Sequence, residues 1–138
     1  MNAEELLQKY DAGERNFEGI NLAHVNLAGA DLSGINLSKA NLVEANLSGA
    51  NLSQANLREA NLARVNFTEA NLCHAILLKA NLTEAQFGYA SLIGAVLIEA
   101  NLVNAFMFNA VVTDANFTDA LMKGVVMPDG SDYQQVLV

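Results

Sequence analysis

Residues 40–64 read Ala40-Asn41-Leu42-Val43-Glu44-Ala45-Asn46-Leu47-Ser48-Gly49-Ala50-Asn51-Leu52-Ser53-Gln54-Ala55-Asn56-Leu57-Arg58-Glu59-Ala60-Asn61-Leu62-Ala63-Arg64, which is Ala-Asn-Leu-x-x repeated without a slip. The frame extends in both directions. From Phe17 through Met127 every fifth residue is large and apolar: fifteen Leu, four Phe, three Met and Val112. Two residues before them, 17 of the 23 positions are Ala, and between the two stands Asn in fourteen units and Asp31 in one more.

A period of five excludes a single amphipathic helix, because apolar residues would advance about 500° per unit and scatter over every side. Within a unit, Ala and Leu are two apart. An extended segment therefore points both inward and Asn outward, and the remaining two residues must turn the chain. Extended, turn, extended, turn is a solenoid with small and large residues filling its axis.

Charge sets the number of units per coil, since like charges avoid adjacent rungs about 4.8 Å apart. At the last position of each unit, a spacing of 20 gives Lys39-Glu59-Lys79-Glu99 and Glu44-Arg64-Glu84, with only Glu99/Asp119 alike. A spacing of 15 pairs Glu44 with Glu59 and Arg64 with Lys79, and 25 pairs Lys39 with Arg64. Four units per coil is the consistent solution. It predicts a four-sided tube of just under six coils, about 27 Å long.

The motif resembles that of the pentapeptide-repeat family, Ala-(Asn/Asp)-Leu-x-x, over residues 15 to 127, about four-fifths of the chain. That resemblance implies an all-β solenoid, a right-handed quadrilateral parallel β-helix. The acidic start and the Met127-Pro128-Asp129-Gly130 ending are similar to cyanobacterial members. Three segments follow: a capping helix and lead-in over 1–15, the β-helix over 16–127, and a turn and tail over 128–138.

Both apolar ends of such a tube need covering. Ala3 to Tyr10 reads as a lid helix, with Asn2 as N-cap, Glu4 and Glu5 in the first turn, Leu6, Leu7 and Tyr10 on one face, and Gly13 ending it. Pro128-Asp129-Gly130 is a turn signal. The tail from Tyr133 to Val138 is left with three options: adding a strand, covering the last coil, or exchanging between chains.

The 138 residues suit one domain, and 52% apolar with 16% charged residues excludes disorder. Fifteen acids against seven bases give a net charge of −8, which argues against direct nucleic-acid binding through Lys and Arg. Half of that charge sits in the short terminal segments, since nine acids and five bases lie between Asn16 and Met127. No apolar run reaches the ~20 residues of a membrane helix, so no membrane association is expected and the expected location is cytoplasmic.

Chemistry is sparse. Cys73 is a lone cysteine, placed by the winding near Ser53 and Ile93. His24 and His74 fall on opposite faces of separate coils. The acids are dispersed or matched with bases, and no Gly-rich phosphate loop is present. The expectation is a protein that is not an enzyme and takes no cofactor or metal. The Asn column reads as a structural ladder that bonds local backbone, and Phe67 and Phe87 as a core stack.

In the second half the outward Asn gives way to Ile76, Gln86, Ser91, Val96, Phe106, Val111, Leu121 and Val126. Sorted by a 20-residue coil, Ile76, Leu78, Val96 and Ile98 share one face. Phe106 and Phe108 lie opposite, with Tyr89 at the edge of the preceding coil. Ile93 and Val111 share the face between, and Asn81, Thr83 and Asn101 keep the fourth polar. Contiguous apolar surface marks a contact. Three apolar faces exceed what an eleven-residue tail covers, so the expectation is a tail over one face and self-association (a dimer) or a protein partner on another. The function expected is a rigid structural or interaction module. The family supplies an alternative, because some members resemble duplex DNA and bind DNA gyrase, conferring quinolone resistance. This chain departs from them in its short length, its alternating charge rows and its lack of long loops.

Overall fold

The computed structural model describes residues 1–134. Among these residues the chain forms one helix, α1 (Ala3–Asp11), followed by a four-sided parallel β-helix. Every parallel bridge joins residues twenty apart, from Asn16↔Asn36 down to Phe106↔Val126, so four units complete each coil. A triangular winding would have given bridges fifteen apart.

Three backbone bonds join successive coils on each face. On one of them, the Leu42 N–H donates to the Asn61 carbonyl at 2.8 Å, the Asn61 N–H to Ala40 at 2.9 Å, and the Glu44 N–H to Ala63 at 2.9 Å. At each corner the residue after the turn donates back three positions, as Ala45 does to the Leu42 carbonyl at 3.0 Å. The residue before it has positive φ at every unit from Gly19 to Gly124, which is the signature of type II turns. Six of these corners are Gly; the other sixteen are residues such as Glu44 (φ 57°) and Lys79 (φ 58°). Left-handed backbone costs such residues about 1 kcal/mol or more, so the ladders of neighbouring coils must hold them there.

The inward residues from Phe17 to Met107 are buried, and the Ala column from Ala40 to Ala105 is sealed with them. Phe67 and Phe87 stack in this axis with centroids 5.3 Å apart, as the sequence predicts. The lid reading also holds. The Asn2 side chain accepts from the Glu5 N–H at 2.9 Å, and Leu6 and Tyr10 are buried against the first coil. The Tyr10 hydroxyl donates to the Ser33 carbonyl at 2.7 Å, and the Arg15 guanidinium lies 3.7 Å from the Tyr10 ring centre. Glu14 N–H to Lys9 carbonyl and Gly13 N–H to Tyr10 carbonyl form a Schellman ending, with Gly13 at φ 101°.

At the far end the Pro128 turn reverses the chain. Asp132 pairs antiparallel with Val126, and the Tyr133 N–H donates to Val125 at 2.9 Å. The tail thus begins by adding a short rung under one face; its remainder, Gln135 to Val138, lies outside the described residues. The final inward residues Val112, Phe117 and Met127 are only half-buried, because no further coil among the described residues lies beneath them.

Candidate interaction surface

Every Asn or Asp in the outward column caps its own turn. Fifteen side-chain oxygens, from Asn16 to Asn116, accept the N–H two residues on, at 3.0 to 3.2 Å. Bonds between stacked Asn are far fewer: Asn36 to Asn16 at 3.2 Å and Asn81 to Asn61 at 3.4 Å. The column is structural, as expected, but mainly as a set of turn caps.

Where Asn is lost, that cap is lost with it. Each such bond is worth about 0.5–1.5 kcal/mol, so the apolar replacements in the second half trade local stability for surface. Apart from Met1, every large apolar side chain that stands exposed among the described residues lies between Tyr89 and Tyr133.

The structure brings Tyr89, Phe106 and Phe108 into one aromatic cluster. Phe108 meets Tyr89 edge-on with centroids 6.2 Å apart and Phe106 at 6.3 Å. Tyr89 is 60% exposed, Phe106 37% and Phe108 36%. Two glycines seat these rings, a contribution that the sequence reading missed. A Cβ on Gly88 would stand 3.5 Å from the Phe106 ring, and one on Gly130 would stand 3.3 Å from Phe108. Gly130 belongs to the tail, so the turn flanks the cluster from below.

Ile76 and Val96 are bridge partners, which places them with Leu78 and Ile98 on the opposite face. All four are half-buried, because adjacent rungs shield one another, and they are the weaker surface. Ile93 and Val111 stand exposed on the face between. The fourth face is not polar throughout: Leu121, directly below Asn101, is 57% exposed. Asn81, Thr83 and Asn101 lie higher up; the coil rule had placed Leu121 beneath them, and the sorting overlooked it.

The base of the tube was also missed. An apolar hollow of about 330 Å³ opens there among Met107, Val112, Phe117, Met122, Met127 and Tyr133. A second hollow of about 510 Å³ shares Met122 and Tyr133 and extends along Val103 and Leu121.

The repeats match the family described as Pentapeptide repeats over residues 16–54, 40–77, 50–88, 75–114 and 90–127. The chain belongs to the pentapeptide-repeat family. Its fold is the right-handed quadrilateral β-helix of that family. Among solved structures it is similar to alr5209, a pentapeptide repeat protein from Nostoc PCC 7120: 32% identical over 86% of this chain and 74% of that one, with a TM-score of 0.49. It is also similar to HetL from Nostoc sp. strain PCC 7120, a pentapeptide repeat protein involved in heterocyst differentiation regulation: 24% identical over 96% of this chain and 100% of that one, TM-score 0.44. QnrB1, a plasmid-mediated fluoroquinolone resistance protein, is 20% identical over 81% of this chain and 68% of that one, TM-score 0.37. No curated protein matches the chain.

On this pentapeptide-repeat wall the reactive side chains stay apart. Cys73 keeps its place in the row between Ser53 and Ile93, where the Gln54 N–H donates to the Cys73 carbonyl and the His74 N–H to Ile93; its Sγ lies 3.0 Å from the Ser91 Oγ, a hydroxyl that offers no general base. The His24 Nδ1 lies 3.3 Å from Glu44, which also accepts from the Arg64 Nε at 3.0 Å. Lys79 meets Glu99 at 3.8 Å. All three pairs are twenty residues apart, so the rows that set the coil number touch in the folded chain. No cluster of potential metal ligands occurs among the described residues, and no helix is long and apolar enough to cross a membrane.

Proposed function

We propose that this chain is a non-enzymatic interaction module that presents a rigid wall to a protein partner through its C-terminal coils. The observation that carries this reading is the aromatic cluster of Tyr89, Phe106 and Phe108, solvent-facing on a scaffold whose turns have given up their Asn caps there. Exposed aromatic rings on a stiff backbone lose little conformational entropy when covered, which suits them as anchors. Ile93 and Val111 extend the patch around one corner. The partner is either a second copy or another protein.

Replacing Phe106 and Phe108 together by Ser tests the reading. Solution mass and capture of proteins from source-cell lysate are compared between the two forms. The reading requires that the native chain associate and that the variant lose the association. A native chain that is monomeric and captures nothing the variant does not also capture would refute it. A gyrase supercoiling assay addresses the DNA-mimic alternative, which needs inhibition or protection at micromolar protein.

A further inference from the structure

The two ends of the tube are finished differently. Leu6 and Tyr10 seal the first coil, whereas the base opens into the apolar hollow around Val112, Phe117 and Met122. One coil higher, the N–H groups of Leu92, Gly94, Leu97, Glu99, Leu102 and Asn104 all donate to the rung below. Their counterparts in the last coil, on Val112, Asp114, Phe117, Asp119, Met122 and Gly124, have no backbone partner among the described residues. Only the fourth side is paired, by the tail at Met127 and Val125. Among the described residues, three sides of the square therefore end in an unpaired strand edge beside an apolar hollow, which is the arrangement that accepts an added strand.

We propose that this base is a strand-addition site for an extended, basic segment of a partner protein, with apolar side chains at alternate positions. The backbone of such a segment would pair with the Val112–Gly124 edge while its apolar side chains enter the hollow. Its charge follows from the rows. Lys39, Glu59, Lys79 and Glu99 alternate in sign down one corner, and then Asp119 repeats the negative charge. Asp114 stands at the preceding corner, under Gly94. A positive charge in the rung beneath would offset both carboxylates, whereas a further negative one would add a third like charge below Glu99 and Asp119. A second copy does not meet that need: it would set Asp114, Asp119, Asp129 and Asp132, against the single Lys123, opposite the same set. The inference rests on the reading of the chain as an interaction module, but uses a surface separate from the aromatic cluster.

The test uses the full chain and two labelled ten-residue peptides, Ala-Asn-Leu-Ser-Lys twice over and the same with Glu for Lys, with binding followed by fluorescence anisotropy. The Lys peptide should bind saturably, protect the amides of Val112, Phe117 and Met122 from hydrogen exchange, and exceed the Glu peptide by about tenfold. Joint replacement of Asp114 and Asp119 by Lys should reverse that preference. The variant is expected to fold, because Lys39 and Lys79 hold the Asp119 corner at φ 58° and the non-glycine His74 holds the Asp114 corner at φ 60°. Equal binding of the two peptides, or none, would overturn the site. So would amides already protected without peptide: in a dimer they would mean a second copy, and in a monomer that loses protection on removal of residues 135–138, the chain's own tail. The Phe106/Phe108 variant should keep its peptide binding, so failure of this site and failure of the aromatic surface are told apart.

Discussion

The rings of Phe67 and Phe87 lie one above the other in the axis of the tube, with centroids 5.3 Å apart and planes 22° apart, although twenty residues separate them. Both are fully buried, and each occupies a position that Leu holds in most coils. The two rings lie face to face across one rung of the stack.

The first prediction concerns that pair. Phe67→Ala should lower stability by about 3–5 kcal/mol, since it leaves a cavity that rigid neighbouring coils cannot collapse. Phe67→Leu should cost less. A double-mutant cycle with Phe87→Leu, read by urea denaturation, should show coupling of about 0.5–1.5 kcal/mol. Strict additivity would mean that the rings only fill space.

Turn caps supply a second prediction. Val111→Asn restores the side-chain acceptor for the Thr113 N–H that Asn71 provides for Cys73 at 3.0 Å two coils above. Stability should rise by about 0.5–1.5 kcal/mol, and Asn61→Ala should lower it by a similar amount. The urea midpoint reads both. A neutral Val111→Asn would show that the apolar residue already gains as much from its neighbours as the cap provides.

The lid is the third. Leu6→Ala uncovers the first coil and should cost about 2–5 kcal/mol. Tyr10→Phe removes only the hydroxyl that bonds Ser33 and should cost about 0.5–1.5 kcal/mol. If hydrogen exchange shows the loss confined to the first two coils, the lid acts locally, as expected of a stack in which each coil touches only its neighbours.

Acid should loosen the base before the tube. The Ser131 hydroxyl and N–H both donate to Asp129, which holds its carboxyl below the ordinary 3.8. A lowered folded value means that the ionised form is favoured in the fold. Its stabilisation is therefore complete above the ordinary carboxylate value and is lost as pH falls through the lowered one. Protection of the Tyr133 amide, whose N–H bonds Val125, relative to an unstructured amide at the same pH should fall over that range. In Asp129→Ala that protection should be low at every pH, with no such step.

Much of this was legible in the residues. Period five excluded a helix, the inward Ala and Leu were two apart, and the sign alternation from Lys39 to Glu99 fixed four units per coil. Those features are local or arise from direct rung contact, so a correct winding number reveals them. The lid helix was legible for a similar reason: its cap, its apolar face and its glycine ending are all short-range signals.

The aromatic cluster was half legible. The winding set Phe106 and Phe108 on one face, but not that Gly88 and Gly130 would seat the rings, because Gly130 arrives only after the Pro128 turn reverses the chain. The row of Cys73 was legible, but its contact with Ser91 was not, because the side chain reaches diagonally across to the neighbouring position.

The repeat alone determined the number of sides, the contents of the axis and which side chains share a face, since each follows from counting in fives and twenties. Tertiary structure decided what a count cannot express: sixteen non-glycine residues held at left-handed corners by the coils around them, a tail whose described residues pair with one side, and a last rung whose other three sides are unpaired among the described residues. Those outcomes depend on where the stack stops, and the last rung differs from the others physically because it has a neighbour on one side alone.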